Sequence, residues 1–137
     1  MNLLALMTDE ITEILIRIME FTQTRQKVLT RNIRRMDRAD FEPQDLAVDE
    51  FSDSLSTALE EYARHQRLVL CATDSVKFGL DGTLKAVPVA DRAAAKLLAD
   101  DRDKYIEYQV DKLLENSLNQ RIAAELLRQR EDWKLTC

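Results

Sequence analysis

His65 is the single histidine of the chain, and Cys71 and Cys137 are its two cysteines, so acid–base chemistry by an imidazole or nucleophilic chemistry by a thiol would have to run through these side chains. His65 stands between Arg64 and Gln66 at an expected helix end, with no serine or cysteine nucleophile in a recognisable motif beside it. A structural or solvated role is expected. No close Cys or His spacing completes a tetrahedral zinc site, so both cysteines are expected as free thiols. The acid pairs Asp49-Glu50, Glu60-Glu61 and Asp100-Asp101 are adjacent in sequence and therefore point in different directions on a helix, which suits caps and solvated faces better than paired catalytic carboxylates. Gly79 and Gly82 are the only glycines; a hairpin claims both, and none remains for a phosphate loop. Neither an enzyme nor a cofactor or metal site is expected.

The same residues sit in a chain built for helices. Within 137 residues, 33% are charged and 45% hydrophobic, and only two glycines and two prolines interrupt them; that balance favours long helices in one folding unit. A net charge of −5 argues against a general affinity for nucleic acid, which needs uncompensated Lys and Arg. The apolar stretch from Met1 to Met7 has no basic leader or small-residue cleavage site, so a secretory signal is not expected. No apolar run approaches the length of a membrane span.

Apolar residues recur at helical spacing from Asp9 to Met36, and a heptad reading places Leu15, Thr22, Leu29 and Met36 on one row and Ile11, Ile18, Arg25 and Asn32 on the other. Such a seam is apolar early and polar late, and polar seam residues fix register at a cost in stability. Thr8, Asp9 and Glu10 offer an N-cap and acidic first turn, which leaves residues 1–8 as a loose tail and 9–38 as the N-terminal helix. Pro43 falls in an irregular connection. Phe51, Leu55, Leu59 and Tyr62 mark a shorter helix ending near His65. Val76 to Lys85 reads as two short strands around Asp81-Gly82, a dipeptide suited to a type I′ turn. Asp91 to Ala99, with three consecutive alanines, reads as a short helix or as the lead-in to the last one. From 100 to 134 the period is helical again, with Tyr105, Ile106, Val110, Leu113, Leu114, Leu118, Ile122, Leu126 and Leu127 on its apolar side. The expected fold is mainly α: two long terminal helices packed as an antiparallel, coiled-coil-like pair, with residues 39–99 holding the shorter helix and the hairpin between them. Trp133 and Leu135, apolar beyond a polar run, read as core or as a docking anchor.

Charge is unevenly distributed. Arg25, Lys27, Arg31, Arg34, Arg35 and Arg38 face one acid, Asp37, whereas no Lys or Arg occurs from Asp40 to Glu61. The plainer reading is a helix end whose positive charge complements its dipole; the sharper one is an electrostatic joint between neighbouring copies.

The stretch from Arg25 to Phe41 resembles the N-terminal signature of bacterial flagellar rod proteins, with Asn32-Ile33 in place, Phe41 for the signature's tyrosine and Asp45-Leu46 matching the proximal-rod branch. Near the other end, Glu115-Asn116-Ser117-Leu118 resembles that branch's Glu-Asn-Ser-Leu. Arg34-Arg35 stands where the family has Ala-Asn, and Arg38-Ala39-Asp40 replaces Thr-Pro-Gly, so the turn lacks both proline's fixed φ and glycine's freedom. The resemblance covers the two ends of the chain and marks a divergent member of the flagellar basal-body proximal rod family. It implies a non-enzymatic structural subunit of the periplasmic rod, exported without a cleaved signal peptide through the flagellar export apparatus. Implied partners are other rod proteins, the rod adaptor, the membrane-ring protein and further copies of the chain, with no nucleic acid and no small-molecule substrate. The implied assembly interface comprises Leu29, Asn32, Ile33, Met36, Asp37, Phe41 and Asp45 at one end. At the other it comprises Asn116, Ser117, Leu118 and Ile122. The rival expectation is a soluble cytoplasmic helical adaptor or regulator that dimerises through the Ile11 to Met36 stripe.

Overall fold

A computed structural model describes residues 3–79 and 83–136, with side-chain surroundings for 10–79 and 83–132. Its helices are α1 (Leu3–Arg34), α2 (Val48–His65), α3 (Arg92–Asp100) and α4 (Arg102–Thr136). Its strands are β1 (Gln44–Asp45), β2 (Val76–Phe78), β3 (Leu84–Ala86) and β4 (Val89–Ala90). The protein is mainly α, and the two long helices α1 and α4 pack together.

Helix α1 begins at Leu3 and ends at Arg34, so the expected loose tail is corrected for residues 3–8, residues 1 and 2 lying outside those described. Leu3, Leu4, Ala5, Leu6 and Met7 are good helix formers with no glycine or proline among them, and nothing in this stretch stops the helix before Thr8. Thr8-Asp9-Glu10 consequently lies inside the helix, whose first turn holds no acid. Beyond Arg34 the chain reverses through successive turns, with Arg38 N–H donating to the Arg35 carbonyl and Phe41 N–H to that of Arg38. No residue there has positive φ. The reversal therefore needs neither the proline nor the glycine that the rod-protein signature places there.

Helix α2 has no side-chain cap, but Asp49 and Glu50 in its first turn and Arg64 and His65 in its last complement its dipole. It terminates at Gln66, the one non-glycine residue with positive φ among those described (56°), whose N–H donates to the Tyr62 carbonyl. Left-handed backbone costs a residue with a Cβ about 1 kcal/mol or more. Gln66→Gly should therefore raise stability by about 0.5–1 kcal/mol, read as a shift in chemical-denaturation midpoint without change in slope.

Strands β2 and β3 pair antiparallel with Lys77 opposite Lys85, as the hairpin expectation has it; the Asp81-Gly82 turn lies outside the described residues. The second pairing was not anticipated: β4 lies antiparallel to β1, with Asp45 opposite Val89, and ties the loop after α1 to the segment before α3. Asp91 caps α3 by accepting from Ala94 N–H at 3.1 Å. Asp101 ends α3 and begins α4, donating its N–H to the Leu97 carbonyl while its own carbonyl accepts from Tyr105 N–H.

Among the described residues two apolar cores result. In the larger, Phe21 and Val28 of α1 meet Leu46, Phe51 of α2 and Val76 of the hairpin, with the Phe21 and Phe51 rings stacked at 4.1 Å. In the smaller, Met36 packs with Ala94 of α3 and Tyr105 of α4.

Candidate functional site

The seam between α1 and α4 is where charge and burial depart most from an ordinary core. The row Leu15, Thr22 and Leu29 of α1, continued by Met36 in the turn that follows, is buried, and so are Arg25 and Asn32 of the second row. Facing them, α4 contributes Tyr105, Gln109, Asn116 and Ala123, all buried, with Lys112 between them. Each polar group at this depth needs a partner, because an unpaired one forfeits its hydration for nothing. Asn32 Nδ2 donates to the Gln44 carbonyl at 2.7 Å and to Gln109 Oε1 at 3.0 Å, while its Oδ1 accepts from Gln44 N–H at 3.1 Å. Tyr105 Oη donates to the Asn32 carbonyl at 2.7 Å. Asn116 Nδ2 donates to the Thr22 carbonyl at 2.8 Å.

A chain of charges continues from this point. Arg25 grips Asp45 with two parallel hydrogen bonds, Nε to Oδ1 at 2.9 Å and Nη2 to Oδ2 at 3.1 Å, the fork geometry in which guanidinium and carboxylate match best. Arg25 Nη1 also reaches Glu115 Oε1 at 3.4 Å. Lys112 Nζ bridges Asp45 Oδ2 and Asp91 Oδ2, each at 2.8 Å, and lies 4.4 Å from the Tyr108 ring centroid. One polar clamp thus fastens α1, the β1 loop, the α3 cap and α4 to each other.

Burial alone would raise the Asp45 carboxyl, but hydrogen bonds and charge from Arg25 and Lys112 outweigh it and hold the group below its ordinary value. Burial likewise opposes the Lys112 ammonium, and its bonds to Asp45, Asp91 and Tyr108 prevail and push it up. Burial pushes the Tyr105 phenol up to about 12, helped by the Asp91 charge. With a depressed folded pKa, the stabilisation from Asp45 is complete above its unfolded value of about 3.9 and is lost as pH falls through the lower folded value. Wild-type protein should therefore lose stability below about pH 4 more steeply than Asp45→Asn, measured by urea unfolding across that range.

The expected interface residues separate into two groups. Leu29, Asn32, Met36, Asp45 and Asn116 are buried within the chain, and Asn32 and Asn116 make their contacts between the terminal helices of one chain. Asn32, Arg25 and Asn116 find their partners inside the chain, whereas Gln109 Nε2 is buried without one. Asp37 pairs with Arg102 and ties the end of α1 to the start of α4. Ile33 and Phe41 are half-buried, and Ser117, Leu118 and Ile122 are exposed.

The apolar side expected for α4 is, for the most part, not the side it buries. Ile106, Val110, Leu114, Leu118, Ile122 and Leu126 form a row at steps of four and are 38–64% exposed. At one end, Ile122 and Leu126 line a groove of about 300 Å³ with Leu15 and Ile18 of α1 and Val48 and Leu55 of α2. Nearer the other end, Val110 and Leu114 line a cavity of about 240 Å³ with Gln26 of α1. Trp133 and Leu135 have side chains outside the described residues.

Sequence reading missed Gln109, Lys112, Asp91 and Tyr108 as parts of the clamp. A signal existed: Tyr105, Gln109, Lys112, Asn116, Asn119 and Ala123 follow steps of four, three, four, three and four, the spacing of a helix seam, but their polarity disguises it. His65 is exposed, 3.8 Å from Glu61, and Cys71 is an exposed free thiol. Among the described residues no cluster of His, Cys, Asp and Glu is placed to hold a metal, and no helix is long and apolar enough to cross a membrane. No protein-family profile, curated protein or solved structure matches the chain.

Proposed function

We propose that this chain is a structural subunit of the flagellar proximal rod, which joins neighbouring copies and other rod proteins through the outer face of its terminal-helix pair. The observation that carries the reading is the exposed row from Ile106 to Leu126. So much apolar surface on one helix is expensive to leave in water at roughly 25 cal/mol per Å² and marks a contact surface. The internal clamp supports the same reading, because it presents that row on a fixed scaffold. Asn32 meets Tyr105 and Gln109, Arg25 meets Glu115, and Thr22 meets Asn116; rising numbers in α1 meet falling numbers in α4, which supports an antiparallel, coiled-coil-like pair. The likeness at Asn32-Ile33, Asp45-Leu46 and Glu115 to Leu118 supplies the family.

The stripe from Ile11 to Met36, on which an adaptor dimer would depend, is largely occupied within the chain by Leu15, Leu29 and Met36. The deciding experiment is co-purification of the chain, tagged internally between Gly79 and Gly82, with detergent-extracted basal bodies. Recovery with the ring and rod supports the proposal. Recovery only in the soluble fraction of motile cells overturns it.

A further inference from the structure

Lys27, Arg31, Arg34 and Arg35 are exposed on one side of α1 and its first following turn, and none of them bonds to an acid among the described residues. At about 100° per residue their side chains fall within one face, opposite the buried Arg25, Leu29 and Asn32. This is unusual in a chain with a net charge of −5. The acids that outweigh it include an exposed ridge on α2, where Asp49, Asp53 and Glu60 share a face. The basic face extends for about 12 Å and the acidic ridge for about 16 Å, so their lengths match.

Each charged face borders a different part of the α4 row. Gln26 lies beside the basic residues and also lines the cavity with Val110 and Leu114. On the other flank, Val48, Ser52 and Leu55 of α2 line the groove with Ile122 and Leu126, and Val48 also lines a neighbouring hollow with Asp49, the first acid of the ridge. One surface is therefore basic and apolar, the other acidic and apolar, and both are carried by the same chain.

We propose that a second copy of this chain is the occupant: the basic face with Val110 and Leu114 of one copy docks on the acidic ridge with Ile122 and Leu126 of the next. This rests on the reading of the protein as a self-assembling subunit and names the surfaces it uses. The contact is heterologous, since the two surfaces differ, so it leaves one of each free and propagates. Opposite charge sets the register and excludes like-with-like docking.

The test uses two variants of the full chain, Lys27→Glu with Arg31→Glu and Asp53→Lys with Glu60→Lys, followed by sedimentation velocity and light scattering. Circular dichroism melts first confirm that both fold as the wild type does. Wild-type protein should form a concentration-dependent series that weakens at least tenfold as ionic strength rises from about 0.1 M to about 1 M. Each variant alone should associate at least tenfold more weakly than wild type, and the equimolar mixture should recover assembly, because each supplies the charge the other lacks. Monomeric wild type at high concentration, undiminished association of either variant alone, or a mixture no better than its components overturns the proposal. A monomeric wild type that still co-purifies with basal bodies would sink these surfaces and leave the rod reading intact. Complementing variants in a chain recovered only from the soluble fraction would do the reverse.

Discussion

Asp45→Ala should lower stability by about 3–5 kcal/mol, the usual consequence of leaving a buried charge without its partner. Arg25 is only 4% exposed, and its two best hydrogen bonds end on Asp45; Glu115, at 3.4 Å and largely solvated, is a poor substitute. Lys112 would lose one of its two carboxylates at the same time. For a domain of this size the expected fall in Tm is roughly 10–20 °C by differential scanning calorimetry. Replacing the group as a set, with Arg25→Met, Asp45→Leu and Lys112→Met, should recover much of that loss, because an apolar set of similar volume has no charge to desolvate. A single variant that melts within a few degrees of wild type would show that the clamp contributes little to holding α1, the loop and α4 together.

Leu118→Asp should have the opposite profile. Leu118 is 58% exposed, and a substitution at such a site changes the fold's own stability by no more than about 0.5 kcal/mol. At an assembly contact it removes apolar burial and introduces a charge, weakening each contact by at least about 2 kcal/mol, on the order of 30-fold. The variant should therefore fold and melt normally yet be absent from purified basal bodies, and cells that depend on it should be non-motile. Intact basal bodies containing the variant would remove the row from Ile106 to Leu126 as the assembly surface. Ile33→Asp is a less clean probe, since Ile33 is half-buried and the change would disturb the folded chain as well.

The helices and the hairpin were legible in the sequence, whereas the β1–β4 pairing was not. Periodicity located α2 and α4, and the heptad rows of the expected first helix identified Leu15, Thr22, Leu29 and Met36 as seam residues, all of which are buried. Asp91 was legible as the start of the short helix that it caps. What periodicity could not give was the buried side of α4, because hydrophobic counting follows Ile106, Val110 and Leu114 while the helix buries Gln109 and Asn116. Polar side chains can occupy a seam when they find partners there: Gln109 Oε1 meets Asn32 and Asn116 meets the Thr22 carbonyl, while Gln44, Asp45 and Asp91, which bond Asn32, Arg25 and Lys112, come together only after the loop folds back through β1 and β4. The start of α1 was misplaced for a related reason: Thr8-Asp9-Glu10 is a good cap in isolation, but a run of strong helix formers precedes it.

The four-residue step of the exposed α4 row has a further geometric consequence. An α-helix turns about 100° per residue, so each step from Ile106 towards Leu126 advances the row by about 40° around the axis, and its two ends differ by about 200°. A straight partner helix lying along α4 could cover only part of such a spiral before the row passed out of reach. Complete burial therefore requires cover on nearly opposite sides of α4, which α1 and α2 of the same chain supply in part at Ile122 and Leu126.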